Sequence, residues 1–163
     1  MPSKQFPVAI ALGSNLGNRR RFLRQAVDRI GAVVRVVRVS SLFETDPVDA
    51  PAGSPRFLNA VVVGLTRLAP PELLAALQRI EHQIGRRRGV VHAPRVIDLD
   101  LILYDARIVR SPALTIPHPR FREREFVLAP LRELGLKWRD PQTGARIAEL
   151  RGEGTVRRIG PMY

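Results

Sequence analysis

The chain has 163 residues, of which 27 are Lys or Arg, 15 are Asp or Glu and none is Cys, so its net charge is +12. This length predicts a single domain over residues 1–163, and the hydrophobic content of 45% argues against wholesale disorder. The absence of Cys excludes a disulfide, a thiolate metal site and a cysteine nucleophile, and no apolar run reaches the roughly 20 residues that span a bilayer. We therefore expect a soluble, cytoplasmic protein that does not bind a membrane.

Some of the arginines cluster in three short stretches of the chain. These stretches are 19–21, 86–95 and 120–124. Guanidinium groups are always charged and present a planar fork that fits phosphate oxygens. The distribution predicts contact with phosphates, which a nucleic acid, a membrane or a nucleotide could supply.

The first half of the chain alternates strand and helix patterns before a long loop. Phe6–Leu12 is predicted as a strand, and a helix capped by Asn18 follows it as far as Gly31. The β-branched stretch Ala32–Phe43 predicts one long strand. Asp46–Pro55 holds three prolines and a glycine, which predicts a loop of functional importance.

The second half repeats the alternation and then becomes polar. Strands are predicted at 57–66 and 96–104, with an extended return at 108–116. Helices are predicted from Pro70 to Gly85 and over 122–134, the latter broken at Pro130, and a polar tail at 137–163 is either solvated or folded back on the core. The order β-α-β-loop-β-α-β fits an α+β, ferredoxin-like (split βαβ) sandwich with extra strands and a C-terminal helix.

The predicted strand at 96–104 carries the strongest local signal for chemistry. Alternate residues of a strand share a face, so Asp98 and Asp100 should point together, away from the core. The residues expected to enter the core are Ile97, Leu99, Leu101 and Leu103. Two carboxylates about 7 Å apart on one strand face repel each other unless a positive group lies between them. That group is either Mg²⁺, which prefers hard oxygen ligands, or an arginine.

Several nearby residues have two interpretations each. Arg86, Arg88 and Arg95 could form an ion network with the aspartates or could grip phosphate oxygens. His118 lies between two prolines and is either structural or a positioned phosphate donor. Between strand and helix, 13–17 lacks the spacing of a P-loop, which favours a tight turn that needs glycine.

Two further pairs also leave alternatives open. Gln78 and Glu81 lie one turn apart on the predicted second helix, where they could be solvated or could face a site. Phe57 and Asn59 share a strand face and could recognise a flat heterocycle by stacking and paired hydrogen bonds. The alternative for this pair is a core phenylalanine beside an asparagine at the strand edge.

Taken together and in order, eight segments resemble the 6-hydroxymethyl-7,8-dihydropterin pyrophosphokinase family of folate biosynthesis. The segments are 11–17, 40–45, 57–60, 78–81, 85–88, 94–100, 114–119 and 124–128. They cover about residues 8–131, and the Arg-x-Ile-Asp-Leu-Asp-Leu-Ile-Leu segment that begins at Arg95 is specific.

The resemblance implies that ATP gives its β,γ-pyrophosphoryl group to the hydroxymethyl oxygen of the pterin and that AMP leaves. It implies two Mg²⁺ ions bound by Asp98 and Asp100, and catalytic roles for Arg86, Arg95 and His118. The ATP-binding residues that it implies are Gln78, Glu81, Arg86, Arg88, Arg95, Ile102, Thr115, His118 and Arg124. The pterin-binding residues that it implies are Thr45, Asp46, Val48, Phe57, Asn59 and Phe126.

One segment of the chain departs from the family pattern. Members often carry Arg-Trp-Gly where this chain has Val91, His92 and Ala93, which we expect to change the rate more than the activity itself.

Two rival functions are also compatible with parts of the sequence. One rival is an inactive relative retained for binding. The other is a nucleic-acid-binding ferredoxin-like domain, against which stands the aromatic content of only 6%. We therefore expect a monomer that binds ATP and the pterin and no nucleic acid.

Overall fold

The computed structural model describes residues 4–47, 51–86 and 94–163. The strands are β1 (Phe6–Ser14), β2 (Arg35–Val39), β3 (Leu42–Thr45), β4 (Phe57–Thr66), β5 (Asp98–Tyr104), β6 (Val109–Arg110), β7 (Thr115–Ile116) and β8 (Val156–Gly160). The α-helices are α1 (Arg19–Ile30), α2 (Pro70–Ile84) and α3 (Glu125–Glu133), and short 3₁₀ turns cover Phe121–Glu123 and Ile147–Glu149. Asn18 caps α1 as predicted, because its side chain accepts a hydrogen bond from the Arg21 N–H.

Six of the strands form one antiparallel sheet in the order β5-β1-β4-β3-β8, with β2 also paired to β4. Helix α1 connects β1 to β2, and helix α2 connects β4 to β5. This is the split βαβ order, so the predicted ferredoxin-like sandwich is confirmed. Strand β8, the β6–β7 hairpin and helix α3 are the additions to it.

Two apolar layers enclose the sheet. Helices α1 and α2 pack on one face through residues such as Leu23, Leu73 and Leu77, which are buried with the even-numbered residues of β1. Helix α3 packs on the other face through Val127, Leu128 and others. Burial of this apolar surface on both faces holds the sheet rigid, and the face toward α3 is the one that carries the polar residues discussed below.

The predicted long strand over 32–43 is interrupted. Gly31 and the next residues form a turn, and Ser40 and Ser41 separate β2 from β3. The Ser40 hydroxyl accepts a hydrogen bond from the Val61 N–H at 2.9 Å and donates one to the Ser41 carbonyl at 2.8 Å. The Ser40 side chain thus takes part in the strand ladder, and β3 pairs with β4 in a register shifted by one residue from that at the end of β2.

Two predictions about the second half were wrong in detail. Helix α3 runs through Pro130, and the break lies before it at Arg124, whose backbone is extended. Leu103 packs on the α3 face beside Ile102, because the register between β1 and β5 shifts between Ala9 and Ile10. A bulge of this kind reverses the alternation beyond it, so the core prediction holds for β5 only up to Leu101.

The tail folds back on the core, which decides between the two alternatives for 137–163. Strand β8 pairs with β3, and Met162 is buried while its carbonyl accepts a hydrogen bond from Arg24 Nε at 2.7 Å. Asp140 is also fully buried and is bound by Arg122. In the described part of the chain, no helix is both long enough and apolar enough to cross a membrane.

Candidate active site

The strand register aligns the predicted site residues in one row across the sheet. Gly13 of β1 lies opposite Asn59 of β4 on one side and opposite Asp98 of β5 on the other. Thr45 of β3 lies opposite Phe57 at the end of β4. Residues that are in register or two apart share a face, so this row faces the α3 side of the sheet.

We divide the row into two ends. The acidic end comprises Asp98 and Asp100 with the guanidinium groups around them. The amide end comprises Thr45, Phe57 and Asn59 on the far side of Gly13. The two ends are separated by the width of one strand, β1.

Asp98 is held by two arginines. Its Oδ1 accepts a hydrogen bond from Arg86 Nη1 at 3.0 Å, and its Oδ2 accepts one from Arg95 Nη1 at 3.2 Å. All three side chains are partly exposed, between 23% and 29%. The ion network that the sequence allowed as one alternative is therefore present in the structure.

Asp100 lies on the same face, and its carboxylate accepts no hydrogen bond from a described residue. Burial and the neighbouring Asp98 charge raise the pKa of its carboxyl to about 7, and the Arg124 charge opposes this rise. The Asp100 carboxyl is therefore only partly ionised at neutral pH, and an added cation would favour its charged form. This electrostatic state favours a cation at the acidic end.

Glu81 anchors one of these arginines. Its carboxylate is 6% exposed, accepts the Leu99 N–H at 2.8 Å and forms an ion pair with Arg86. Burial raises the pKa of this carboxyl. Glu81 thus ties α2 to β5 and orients Arg86 toward Asp98, whereas Gln78, one turn earlier, is exposed.

Asn15 anchors the other arginine, and sequence reasoning had given it no role. Its Oδ1 accepts the Arg95 N–H at 2.6 Å, and its own N–H donates to the Arg95 carbonyl at 3.0 Å. Asn15 is 4% exposed. An asparagine directly after a strand end, inside a motif with two glycines, was the available signal.

His118 and Arg124 approach the acidic end from the segment before α3. Burial and the Arg124 charge lower the pKa of His118 to about 4, so its ring is neutral at pH 7. His118 Nδ1 accepts a hydrogen bond from the Arg120 N–H at 3.2 Å, which leaves the proton on Nε2 as a free donor. Burial also lowers the pKa of Arg124, and the Asp100 charge opposes this decrease.

The amide end is neutral and internally hydrogen-bonded. Asn59 Nδ2 donates to Thr45 Oγ1 at 3.0 Å and to the Phe43 carbonyl at 3.4 Å, and Asn59 is 4% exposed. A Cβ on Gly13 would lie 3.3 Å from Asn59 Oδ1 and 3.4 Å from the Phe57 ring. Gly13 therefore keeps the strand surface open beside these two side chains.

The prediction that glycines in 13–17 serve a tight turn is right for Gly17 and wrong for Gly13. Gly17 has a φ of +70° in the turn before α1. Gly13 lies inside β1, where its lack of a side chain makes room on the sheet surface instead.

The remaining predicted residues surround these two ends. Asp46 is exposed and pairs with Arg56 at 3.0 Å, and the half-buried Phe126 lies under the Arg124 guanidinium, 5.6 Å from the ring centroid. Thr115 is half-buried on β7. Ile102 is 1% exposed, and its carbonyl accepts the His118 N–H at 2.9 Å, so its backbone and not its side chain adjoins the site. Val48, Arg88 and the 91–93 segment lie outside the described residues.

The donors available to a metal are few. Within 4–47, 51–86 and 94–163, no three or more His, Asp or Glu side chains are grouped to hold a metal ion. The two carboxylates of the acidic end fit the usual Mg²⁺ arrangement, in which the protein gives one or two carboxylates and substrate phosphates and water give the rest. Paired carboxylates among guanidinium groups and a neutral imidazole are typical of enzymes that transfer phosphoryl groups.

Comparison with known proteins shows which family within the class of phosphoryl-transfer enzymes the chain resembles. The family model of 7,8-dihydro-6-hydroxymethylpterin-pyrophosphokinase (HPPK) matches residues 9–135 of the chain. A 2-amino-4-hydroxy-6-hydroxymethyldihydropteridine pyrophosphokinase of Bacillus subtilis is 48% identical over 127 residues, which are 77% of this chain and 75% of that protein. The chain belongs to the HPPK family, which confirms the predicted family.

Other relatives differ in length. The pyrophosphokinase of Pseudomonas aeruginosa is 41% identical over 145 residues, 88% of each chain. The mitochondrial folate synthesis bifunctional protein of Arabidopsis thaliana is 47% identical over 134 residues, but this chain spans only 24% of its length. A crystal structure of Plasmodium falciparum HPPK-DHPS has a TM-score of 0.73 at 15% identity, over 90% of this chain and 45% of that one, which shows the same fold.

Proposed function

We propose that this chain transfers the β,γ-pyrophosphoryl group of ATP to the hydroxymethyl group of 6-hydroxymethyl-7,8-dihydropterin and releases AMP. The observation that carries the proposal is the single row on the sheet, in which an acidic end and a neutral amide end are one strand apart. A charged triphosphate suits the first end, and a flat heterocycle with amide-like edges suits the second.

The reaction needs alignment and charge neutralisation more than covalent chemistry. The hydroxymethyl oxygen attacks the β-phosphorus, the bond to the bridging oxygen breaks, AMP leaves with that oxygen, and the hydroxyl proton passes to solvent. The phosphate oxygens would be bound by Arg86, Arg95, His118 and Arg124. Neutral His118 would donate from Nε2, a hydrogen bond that does not depend on a charged ring.

The pterin would occupy the amide end. Asn59 and Thr45 would hydrogen-bond its edge, and Phe57 and Phe126 would stack on its faces. Gly13 would leave room for the ring, because a side chain there would press on both Asn59 and Phe57. Asp46 and Val48 would border the ring, and Gln78, Glu81, Arg88, Ile102 and Thr115 would border the nucleotide.

Asp98 and Asp100 would hold two Mg²⁺ ions, which supply neutralisation of the triphosphate charge. When substrate binds, Arg86 and Arg95 would exchange their ion pairs with Asp98 for phosphate oxygens, which frees that carboxylate for a cation. We therefore expect Mg²⁺ to bind weakly alone and at least about tenfold more tightly with α,β-methylene-ATP, as measured by calorimetry. Equal Mg²⁺ affinity in wild type and Asp100→Asn would refute this assignment.

The direct test is to incubate the purified protein with ATP, Mg²⁺ and 6-hydroxymethyl-7,8-dihydropterin and to measure AMP and the pterin diphosphate. Stoichiometric formation of both supports the proposal. Binding of both substrates without AMP would instead identify an inactive relative. Salt-dependent binding of single-stranded RNA without turnover would identify a nucleic-acid-binding domain.

We also propose a monomer in the cytoplasm. The chain has no Cys, so its fold does not require an oxidising compartment. Light scattering of the purified protein should give a mass near 18.2 kDa. Twice that mass at micromolar concentration would contradict the monomer.

A further inference from the structure

The tail contacts two elements that carry candidate site residues, although it lies beyond the family match, which ends at residue 135. We define the tail segment as Gly152–Gly160. One part of it contacts the backbone around Arg124, and its strand β8 pairs with β3. The inference drawn from these contacts rests on the proposed function, in which Arg124 binds phosphate and β3 carries a pterin ligand.

The first contact is a pair of backbone hydrogen bonds on either side of Arg124. The Glu153 N–H donates to the Glu123 carbonyl at 2.7 Å, and the Glu125 N–H donates to the Glu153 carbonyl at 3.2 Å. Arg124 has an extended backbone at this point, between the 3₁₀ turn and α3. The Arg124 N–H donates to the Phe121 carbonyl and its own carbonyl accepts from α3, so local turns hold Arg124 itself while the tail segment holds the backbone on both sides of it.

The second contact is a close approach that only glycine permits. A Cβ on Gly152 would lie 2.6 Å from the Glu125 nitrogen and 2.8 Å from the Arg124 carbonyl carbon. Gly152 has no left-handed φ, so space and not backbone freedom requires glycine here. Its N–H also donates to Glu125 Oε1 at 3.0 Å, and the other oxygen of that carboxylate pairs with Arg132.

The third contact lies at the amide end. Val156 of β8 is in register with Thr45 of β3, and Arg157 Nη2 donates to Glu44 Oε1 at 2.6 Å. Burial works to raise the pKa of Glu44, but hydrogen bonds from Arg19 and Arg157 bring it below its usual value. Strand β3 thus lies between β4, which carries Asn59, and the tail segment.

We propose that the tail segment is a positioning element that fixes Arg124 against the acidic end and, through β8, fixes β3 at the amide end. A single segment that contacts both places sets the spacing between the two bound substrates. Alignment of reacting groups is the main requirement of this chemistry, so a displaced Arg124 backbone should weaken nucleotide binding before it unfolds the protein.

The test compares two crowded glycines. Gly152→Ala should raise the Kd for α,β-methylene-ATP with Mg²⁺ about fivefold or more. The Kd for the pterin should stay within about twofold of the wild-type value. The control is Gly64→Ala, whose Cβ would meet the Arg35 carbonyl oxygen at 2.4 Å, on β4 and away from both ends. It should lower the Tm but leave the nucleotide Kd within about twofold of wild type when measured while folded.

A milder variant covers the case in which either protein fails to fold. Glu125→Gln keeps the shape of the side chain but weakens its bonds to Gly152 and Arg132, and should raise the nucleotide Kd about twofold to threefold. If Gly152→Ala and Glu125→Gln lower the Tm but leave the Kd unchanged, the tail segment is only structural and the inference is wrong. Absence of AMP from wild type would instead refute the proposed function, and a normal Kd in Arg124→Ala would refute the role given to that residue.

Discussion

The two ends of the row are built in opposite ways. At the acidic end every charge is near another charge, and Asp98 is bound by arginines that the proposed mechanism needs elsewhere. At the amide end Asn59 and Thr45 are neutral, bonded to each other and set beside a glycine. The acidic end is thus held by ion pairs that a charged ligand could replace, whereas the amide end is held by neutral hydrogen bonds.

The largest expected effect is at the acidic end. Asp98→Ala or Asp100→Ala should lower turnover by about a thousandfold or more, because each removes a carboxylate that would hold Mg²⁺. Circular dichroism should show a folded protein, since both carboxylates are partly exposed. The matched control is Asp28→Ala, an exposed acid on α1, which should keep turnover within about twofold. Near-normal turnover in a folded Asp98 or Asp100 variant would remove the metal assignment.

The next effect belongs to the amide end. Asn59→Ala should raise the pterin KM about thirtyfold and leave nucleotide binding within about twofold, because a buried amide loses its hydrogen bonds to the ring. Val63→Ala, buried on the same strand and face, serves as the control and should lower stability without raising the pterin KM. Equal increases in the KM values of both substrates would mean that the two ends do not bind them separately.

A smaller effect should follow from the strand between the ends. Gly13→Ala should raise the pterin KM about fivefold, since the added methyl would lie within 3.4 Å of Asn59 and Phe57. Gly31→Ala places a methyl 3.1 Å from the Asp28 carbonyl oxygen at the end of α1, and should leave both KM values unchanged. An unchanged pterin KM in Gly13→Ala would place the ring elsewhere.

The buried ion pair between Arg122 and Asp140 lies outside the row and can be compared with the ion pairs of Asp98. Asp140 is bound by Arg122, the Gln142 N–H and the Thr143 hydroxyl, which lower its pKa to about 2 although burial opposes this. The folded-state pKa lies below the unfolded one, so this pair should stabilise the protein by about 2 kcal/mol above pH 4 and lose that contribution between pH 4 and pH 2.

Urea unfolding checks this expectation. Asp140→Asn should reduce the free energy of unfolding at pH 7 by about 2 kcal/mol or more, and the difference from wild type should shrink as the pH falls toward 3. Asp28→Asn, at an exposed acid, should leave the free energy of unfolding at pH 7 within about 0.5 kcal/mol of wild type. A difference that stays constant with pH would show that Asp140 does not act through its charge.

Sequence patterns predicted most of the fold but missed what depends on neighbouring strands. The helices, the order of elements along the chain and the common face of Asp98 and Asp100 follow from local periodicity. The bulge that turns Leu103 to the other face, the break at Ser40 and the pairing of the tail arise from contacts distant in the chain. Local patterns carry no information about such register shifts.

The candidate site shows the same division. The sequence alone showed its residue types and their order along the chain, because carboxylates, arginines and an Asn two residues from a Phe each suit a particular chemistry. Only the tertiary structure decided that Gly13 lies between Asp98 and Asn59, that Asn15 holds Arg95 and that Gly152 packs against Arg124. The sequence by itself determined which groups are available. Their alignment depends on strand register and close backbone contact, which are set when distant segments bury their apolar faces together.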